Sequence, residues 1–126
     1  MALLDLAGPW EALHWLPDAG LHLVARERAP VTSDTEAALV PTATFSDLPH
    51  PDVLCVPGGG GQIEVMDDAA TLDWVRRAGA QARWVASICT GSFILGAADL
   101  LRGYRATSHW ASRHLLTAYG ATVVGP

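Results

Sequence analysis

The sequence predicts an α/β sandwich around a mostly parallel sheet. Two short apolar runs, Asp52-Val53-Leu54-Cys55-Val56 and Arg83-Trp84-Val85-Ala86-Ser87-Ile88, read as strands covered on both faces, the pattern of parallel sheets. Each run is followed by a turn and then by helical spacing, so strand and helix signals alternate along the chain. The 126 residues are half hydrophobic and only 17% charged. That suits one domain with a sizeable core and excludes a disordered chain.

Taken in order, Gly8-Pro9 ahead of Trp10-Glu11-Ala12-Leu13 predicts a helix start, because a first turn does not need the missing proline N–H. Residues 21–25 read as a strand. Residues 29–44, rich in β-branched and turn-forming types, predict a small hairpin. Pro57 and the glycines Gly58-Gly59-Gly60-Gly61 close the strand that begins at Asp52. Asp67-Asp68 opens a helix with Leu72, Val75, Ala78 and Ala82 on one side and Asp73, Arg76 and Arg77 on the other. Beyond Cys89, helical spacing through Ile94, Ala97, Ala98 and Leu101 runs up to Gly103. A short strand over 105–107, a helix over 109–119 stopped by Gly120, and a last strand over 122–124 complete the pattern. The chain opens almost on a helix and closes in or just after a strand. It is therefore expected to be a segment of a longer protein, since an open sheet short of a strand leaves unpaired backbone groups beside its core.

Eight basic against thirteen acidic residues leave a net charge of −5, which argues against nucleic acid or an anionic membrane as partner of this segment. The first arginine is Arg26, and Asp5 stands where a signal peptide would be apolar. The longest uncharged stretch, residues 84–98, falls short of the roughly 20 apolar residues a membrane helix needs. Two cysteines cannot build a disulfide framework, so a cytoplasmic setting with free thiols is expected.

The segment Ser87-Ile88-Cys89-Thr90-Gly91, between an apolar strand and an apolar helix, has the pattern of a nucleophile elbow. Such a tight turn lifts one side chain above the sheet edge, and the following helix offers backbone N–H groups and positive potential to a thiolate. The competing reading of Cys89 is an inert core thiol. Cys55, mid-strand between Leu54 and Val56, reads as core packing. In a parallel sheet the glycine turn and the elbow share the C-terminal edge, where ligands bind. The glycine N–H groups there can form an anion-holding nest, or the segment is a simple tight turn. It is not a phosphate-binding loop, because no Lys-Ser/Thr pair follows. Asp5 reads either as a helix cap or as a carboxylate beside Cys89. His109 is a candidate base or an ordinary polar residue. His109 and His114 lack i, i+4 spacing, no other cluster has ligand spacing, and no metal is expected.

These residues resemble the isonitrile hydratase branch of the PfpI-type superfamily. The likeness rests on Asp5-Leu6-Ala7-Gly8-Pro9, Pro57-Gly58-Gly59, Ser87-Ile88-Cys89-Thr90-Gly91-Ser92 and Leu95-Gly96-Ala97-Ala98. It rests also on Leu100-Leu101-Arg102-Gly103-Tyr104-Arg105-Ala106-Thr107-Ser108-His109-Trp110. The resemblance implies a flavodoxin-like three-layer α/β sandwich, normally a homodimer, and a hydratase that turns an isonitrile into an N-substituted formamide without a cofactor. It implies Cys89 as nucleophile, forming a thioimidate-like adduct, Asp5 as the proton-transferring carboxylate, and Thr90 as the residue that orients Asp5 or substrate. Gly59, Gly60, Ile88 and His109 would border the substrate. It also implies that residues 1–126 are one PfpI-type domain cut at both ends, short of a first strand and a C-terminal third, and unstable alone. Thr90 in place of a histidine after the nucleophile, and an Asp as the early acidic residue, set the chain apart from protease- and deglycase-type relatives. Asp99 stands where the family usually carries Gly. The alternative implied by resemblance is the ligand-sensing domain of a helix-turn-helix transcription regulator.

Overall fold

The computed structural model describes residues 1–125. Helix α1 spans Leu3–His14 and is followed by four two-residue strands, β1 (Val24–Ala25), β2 (Val31–Thr32), β3 (Ala38–Leu39) and β4 (Ala43–Thr44). Strand β5 (Val53–Val56) leads through α2 (Gln62–Met66) and α3 (Ala69–Gln81) to β6 (Trp84–Ser87). After α4 (Gly91–Ala97) come β7 (Arg105–Ala106), a 3-10 helix (Arg113–Tyr119) and β8 (Thr122–Val123).

Parallel pairing dominates: β5–β6 and β7–β8 are joined through helices, as parallel neighbours commonly are, and β1–β4 through the intervening hairpin. β1 pairs with β4, β5 with β6 and β7 with β8, all in parallel, while β2 and β3 form the one antiparallel hairpin among the described residues. These ladders remain separate two-stranded units rather than one continuous sheet. The β5–β6 register, from Val53 opposite Trp84 to Val56 opposite Ser87, brings both strand ends to one edge. That edge carries the candidate site.

The core lies between β5 and helices α3 and α4. Leu54 and Val56 cluster with Trp74, Val75 and Ala78 of α3 and with Phe93, Ile94 and Leu95 of α4. Each large apolar side chain buried there contributes about 1.5–3 kcal/mol. Trp74 also stacks on Phe45 at 4.9 Å and donates its indole N–H to the Leu48 carbonyl at 3.1 Å, which fastens the loop after β4 to α3.

Several sequence expectations are corrected. Helix α1 begins at Leu3 rather than at the Gly8-Pro9 step, so Pro9 lies inside it. A proline there has no N–H for the carbonyl four residues back, that of Asp5, and the helix tolerates the gap. Asp5 is consequently a first-turn residue and not a cap; the N-cap is Ala2. β6 is not buried. Trp84 and Val85 are 66% and 38% exposed. Apolar composition makes a strand fit for burial but does not supply its cover. α4 stops before Gly103, at a turn in which Asp99 adopts φ +60° and its N–H meets the Gly96 carbonyl at 2.9 Å. The helix expected over 109–119 is a 3-10 helix starting at Arg113, ended by Gly120 at φ +78°.

Candidate active site

Cys89 occupies the turn between β6 and α4 at φ +54°, a left-handed conformation. For a residue with a side chain this costs about 1–2 kcal/mol, so neighbouring contacts must impose it. The Ile88 N–H donates to the Val56 carbonyl at 3.0 Å, extending the ladder by one step, and the Gly91 N–H returns to the Ile88 carbonyl at 3.0 Å. A side chain at Gly91 would run into the Val56 carbonyl, so only glycine lets the helix start this close to β5. The Cys89 carbonyl accepts hydroxyls from Ser92 at 3.2 Å and Ser108 at 3.0 Å. Cys89 itself is a free, half-buried cysteine. Cys55 is also free and half-buried, and burial pushes its thiol pKa up, which disfavours the reactive thiolate there.

The glycine turn beside the elbow is a junction. Three consecutive backbone N–H groups each meet a side-chain oxygen from a different part of the chain: Gly58 donates to Asp5 Oδ2 at 3.2 Å, Gly59 to Thr90 Oγ1 at 3.1 Å and Gly60 to Asp34 Oδ2 at 2.8 Å. The open anion nest read from the glycines is thus filled by the protein's own oxygens. Gly58 approaches the elbow so closely that an added Cβ would lie 2.6 Å from the Thr90 nitrogen and hydroxyl. Gly59 holds φ +115°. Asp34, which the sequence did not single out, has its carboxyl pKa held below the usual range, chiefly by the Gly60 N–H. Its only sequence signal is a turn-forming Ser-Asp-Thr in the expected hairpin.

Two cavities meet at this junction. A cleft of about 570 Å³ between α2 and the 3-10 helix is lined by Gly59, Gly60 and Thr90 together with mainly apolar side chains. A groove of about 870 Å³ runs along α1, β1 and β5 and includes Asp5, Gly58 and Cys55. The structure ties Asp5, Thr90 and Asp34 to the glycine turn through Gly58, Gly59 and Gly60; Cys89, on the neighbouring turn, itself lines neither cavity. Ile88 serves the backbone of that turn and borders neither cavity. His109 is exposed, borders neither cavity and uses Nδ1 to accept the Ala111 N–H at 3.3 Å. Its neighbour Ser108 is the residue of that segment that reaches the elbow. Among the described residues no three His, Cys, Asp or Glu side chains gather as a metal site.

The model of the DJ-1/PfpI family matches residues 1–126. The chain belongs to that family. This DJ-1/PfpI chain is 54% identical over 121 residues to isonitrile hydratase of Pseudomonas putida, across 96% of its own length, which supports placing it in the isonitrile hydratase branch. It is 41% identical over 119 residues to an uncharacterised protein from the cpoL 5′ region of Streptomyces lividans, across 87% of its length and 81% of that protein's. The crystal structure of a ThiJ/PfpI family protein from Pseudomonas syringae superposes on all of it, with a TM-score of 0.96 and 44% identity. The fold is accordingly the flavodoxin-like α/β fold. The chain spans about half the length, 53%, of the hydratase and of the superposed structure.

Proposed function

We propose that the protein hydrates isonitriles to N-substituted formamides, with Cys89 as nucleophile. The observation that carries this reading is the 54% identity to isonitrile hydratase over almost the whole chain. The elbow geometry supports the roles. The Cys89 sulfur adds to the terminal isonitrile carbon, which becomes protonated, giving a thioimidate. Water then adds to that carbon, the C–S bond breaks, and the thiol and the formamide are released. One isonitrile and one water are consumed for each formamide, and no redox partner is involved.

Asp5 supplies the proton to carbon and afterwards takes one from water. Its Oδ2 is fixed by the Gly58 N–H. Thr90 Oγ1 accepts the Gly59 N–H, which leaves the hydroxyl proton free to be donated to substrate or to Asp5. Positioned proton transfer of this kind is worth about 10²–10⁴-fold in rate. A homodimer in a reducing, cytoplasmic compartment belongs to the same reading; the structure's own contribution is that no described helix is long and apolar enough to cross a membrane. The same identity weighs against the sensor-domain alternative.

The test follows loss of an aryl isonitrile and appearance of its formamide. Cys89→Ala is expected to abolish turnover, and Asp5→Asn to lower kcat at least 100-fold, in keeping with the size of such effects. Equal rates in the wild type and both variants overturn the covalent mechanism.

A further inference from the structure

The turn that presents Cys89 has both of its peptide planes held through a carbonyl. Ahead of Cys89, the Ile88 carbonyl accepts the Gly91 N–H at 3.0 Å. After it, the Cys89 carbonyl accepts two hydroxyls, that of Ser92 at 3.2 Å and that of Ser108 at 3.0 Å. Peptide units are planar, so pinning the carbonyls on both sides of a Cα fixes its φ and ψ, and with them the direction of its Cβ. Here the conformation is the left-handed one, φ +54°, which a residue with a side chain does not adopt unaided.

Ser92 belongs to α4, the helix that the turn itself starts, so its bond is local. Ser108 lies 19 residues from Cys89, in the loop after β7. Of the hydrogen bonds made to Cys89 among the described residues, it is the one that arrives from outside the elbow. Its loop is braced at both ends. The Val124 N–H meets the Ala106 carbonyl at 2.9 Å, and the Arg113 N–H meets the His109 carbonyl at 2.9 Å. Exposure alternates along residues 106–109: Ala106 and Ser108 are half-buried, whereas Thr107 and His109 are exposed. The serine is therefore the polar side chain of this stretch that faces inward.

We infer that Ser108 is a positioning residue for the nucleophile: its hydroxyl holds the Cys89 carbonyl and thereby holds the thiol in its reactive placement. The inference rests on the reading of Cys89 as nucleophile and deepens it. Without that hydroxyl, Ser92 alone keeps the carbonyl, and the strained turn relaxes and carries the sulfur with it.

The experiment uses three variants of the full-length protein, Ser108→Ala, Ser108→Val and Ser108→Thr, each checked for folding by its thermal melt. Valine and threonine share a shape and differ in the hydroxyl, so that pair decides the matter even if the alanine variant does not fold. One measurement is alkylation of Cys89 by iodoacetamide, read by mass spectrometry in a Cys55→Ala background. The other is kcat and KM for an aryl isonitrile. Alanine and valine are expected to lower the alkylation rate and kcat by about three- to tenfold, the factor that one neutral hydrogen bond is worth, with KM unchanged. Threonine is expected to restore both rates. A serine that merely supports the fold would lower Tm and leave both rates unchanged in the folded protein. Valine and threonine variants that match in both rates overturn the assignment, as does a change confined to KM. Alkylation that follows the hydroxyl in a protein that hydrates nothing supports Ser108 and sinks only the hydration reading.

Discussion

At the scale of single residues, the junction turns on how little room Gly58 has. A methyl group there meets the Thr90 nitrogen and hydroxyl at 2.6 Å, and neither can retreat without moving the elbow. Gly58→Ala should therefore cut the proposed hydration strongly and destabilise the fold by about 1–3 kcal/mol, the usual cost of overpacking. Thermal unfolding and turnover measured on the same preparation check this; an alanine variant with wild-type values of both would mean that the elbow has slack. The sequence made the glycines visible, and it made Cys89 visible through its strand-turn-helix setting. It did not reveal which glycine bears the contact, because that depends on β5 and β6 ending side by side, a pairing between residues about 30 positions apart. Asp34 was illegible for the same reason. Its partner, Gly60, is distant in sequence, and a lone aspartate in a hairpin turn carries no mark of what it will hold.

At the scale of elements, the most telling boundary is the end of α4. The Asp99 N–H bonds to the Gly96 carbonyl and the Leu100 N–H to the Leu95 carbonyl at 3.0 Å, the paired pattern of a helix ended by a left-handed residue. Glycine is the natural occupant of such a position, and Asp99 fills it at φ +60°. Its exposed ion pair with Arg102 at 3.3 Å offsets little of that strain. Asp99→Gly is thus expected to stabilise the protein by about 1 kcal/mol and raise Tm, with substrate turnover unchanged, since the residue lies at the far end of the elbow helix. An unchanged or lower Tm would show that Asp99 is held there by more than the turn. Elements with long periodic patterns, such as α3, were legible from spacing alone. Those whose limits depend on a single backbone conformation, α4 and the 3-10 helix, were legible in kind but not in extent. α1 was misplaced because Pro9 signals a helix start in sequence, while packing of residues 1–2 against the glycine turn starts the helix earlier, the Ala2 N–H meeting the Gly58 carbonyl at 2.9 Å.

At the scale of the whole molecule, several surface carboxylates, Asp68 among them only partly exposed, fasten segments far apart in sequence. Asp34 links the hairpin to the glycine turn, Asp47 links the loop after β4 to Arg28, and Asp68 at the head of α3 meets Arg26 after β1. All three carboxyl pKa values are held below the usual range: Asp34 by the Gly60 N–H, Asp47 by the Thr44 N–H and Asp68 by the Thr71 hydroxyl, with the cations adding to this. A carboxyl whose pKa is lower folded than unfolded stabilises the fold fully above its ordinary value of 3.8, and that contribution fades as pH falls through the folded value. Cys55 works at the other limit. Burial raises its thiol pKa, so its stabilising contribution is complete below the ordinary value of 9.0 and is lost as pH climbs toward the folded value. Stability should accordingly be flat through neutral pH, with an acid limb set by the carboxylates and an alkaline limb to which Cys55 contributes. Tm measured across pH in Asp34→Asn and Cys55→Val separates the two: the first should flatten the acid limb only, the second the alkaline limb only. If Asp34→Asn leaves the acid limb as steep as in wild type, the tie between hairpin and glycine turn does not bear on stability. The junction would then depend on Asp5 and Thr90 for its shape.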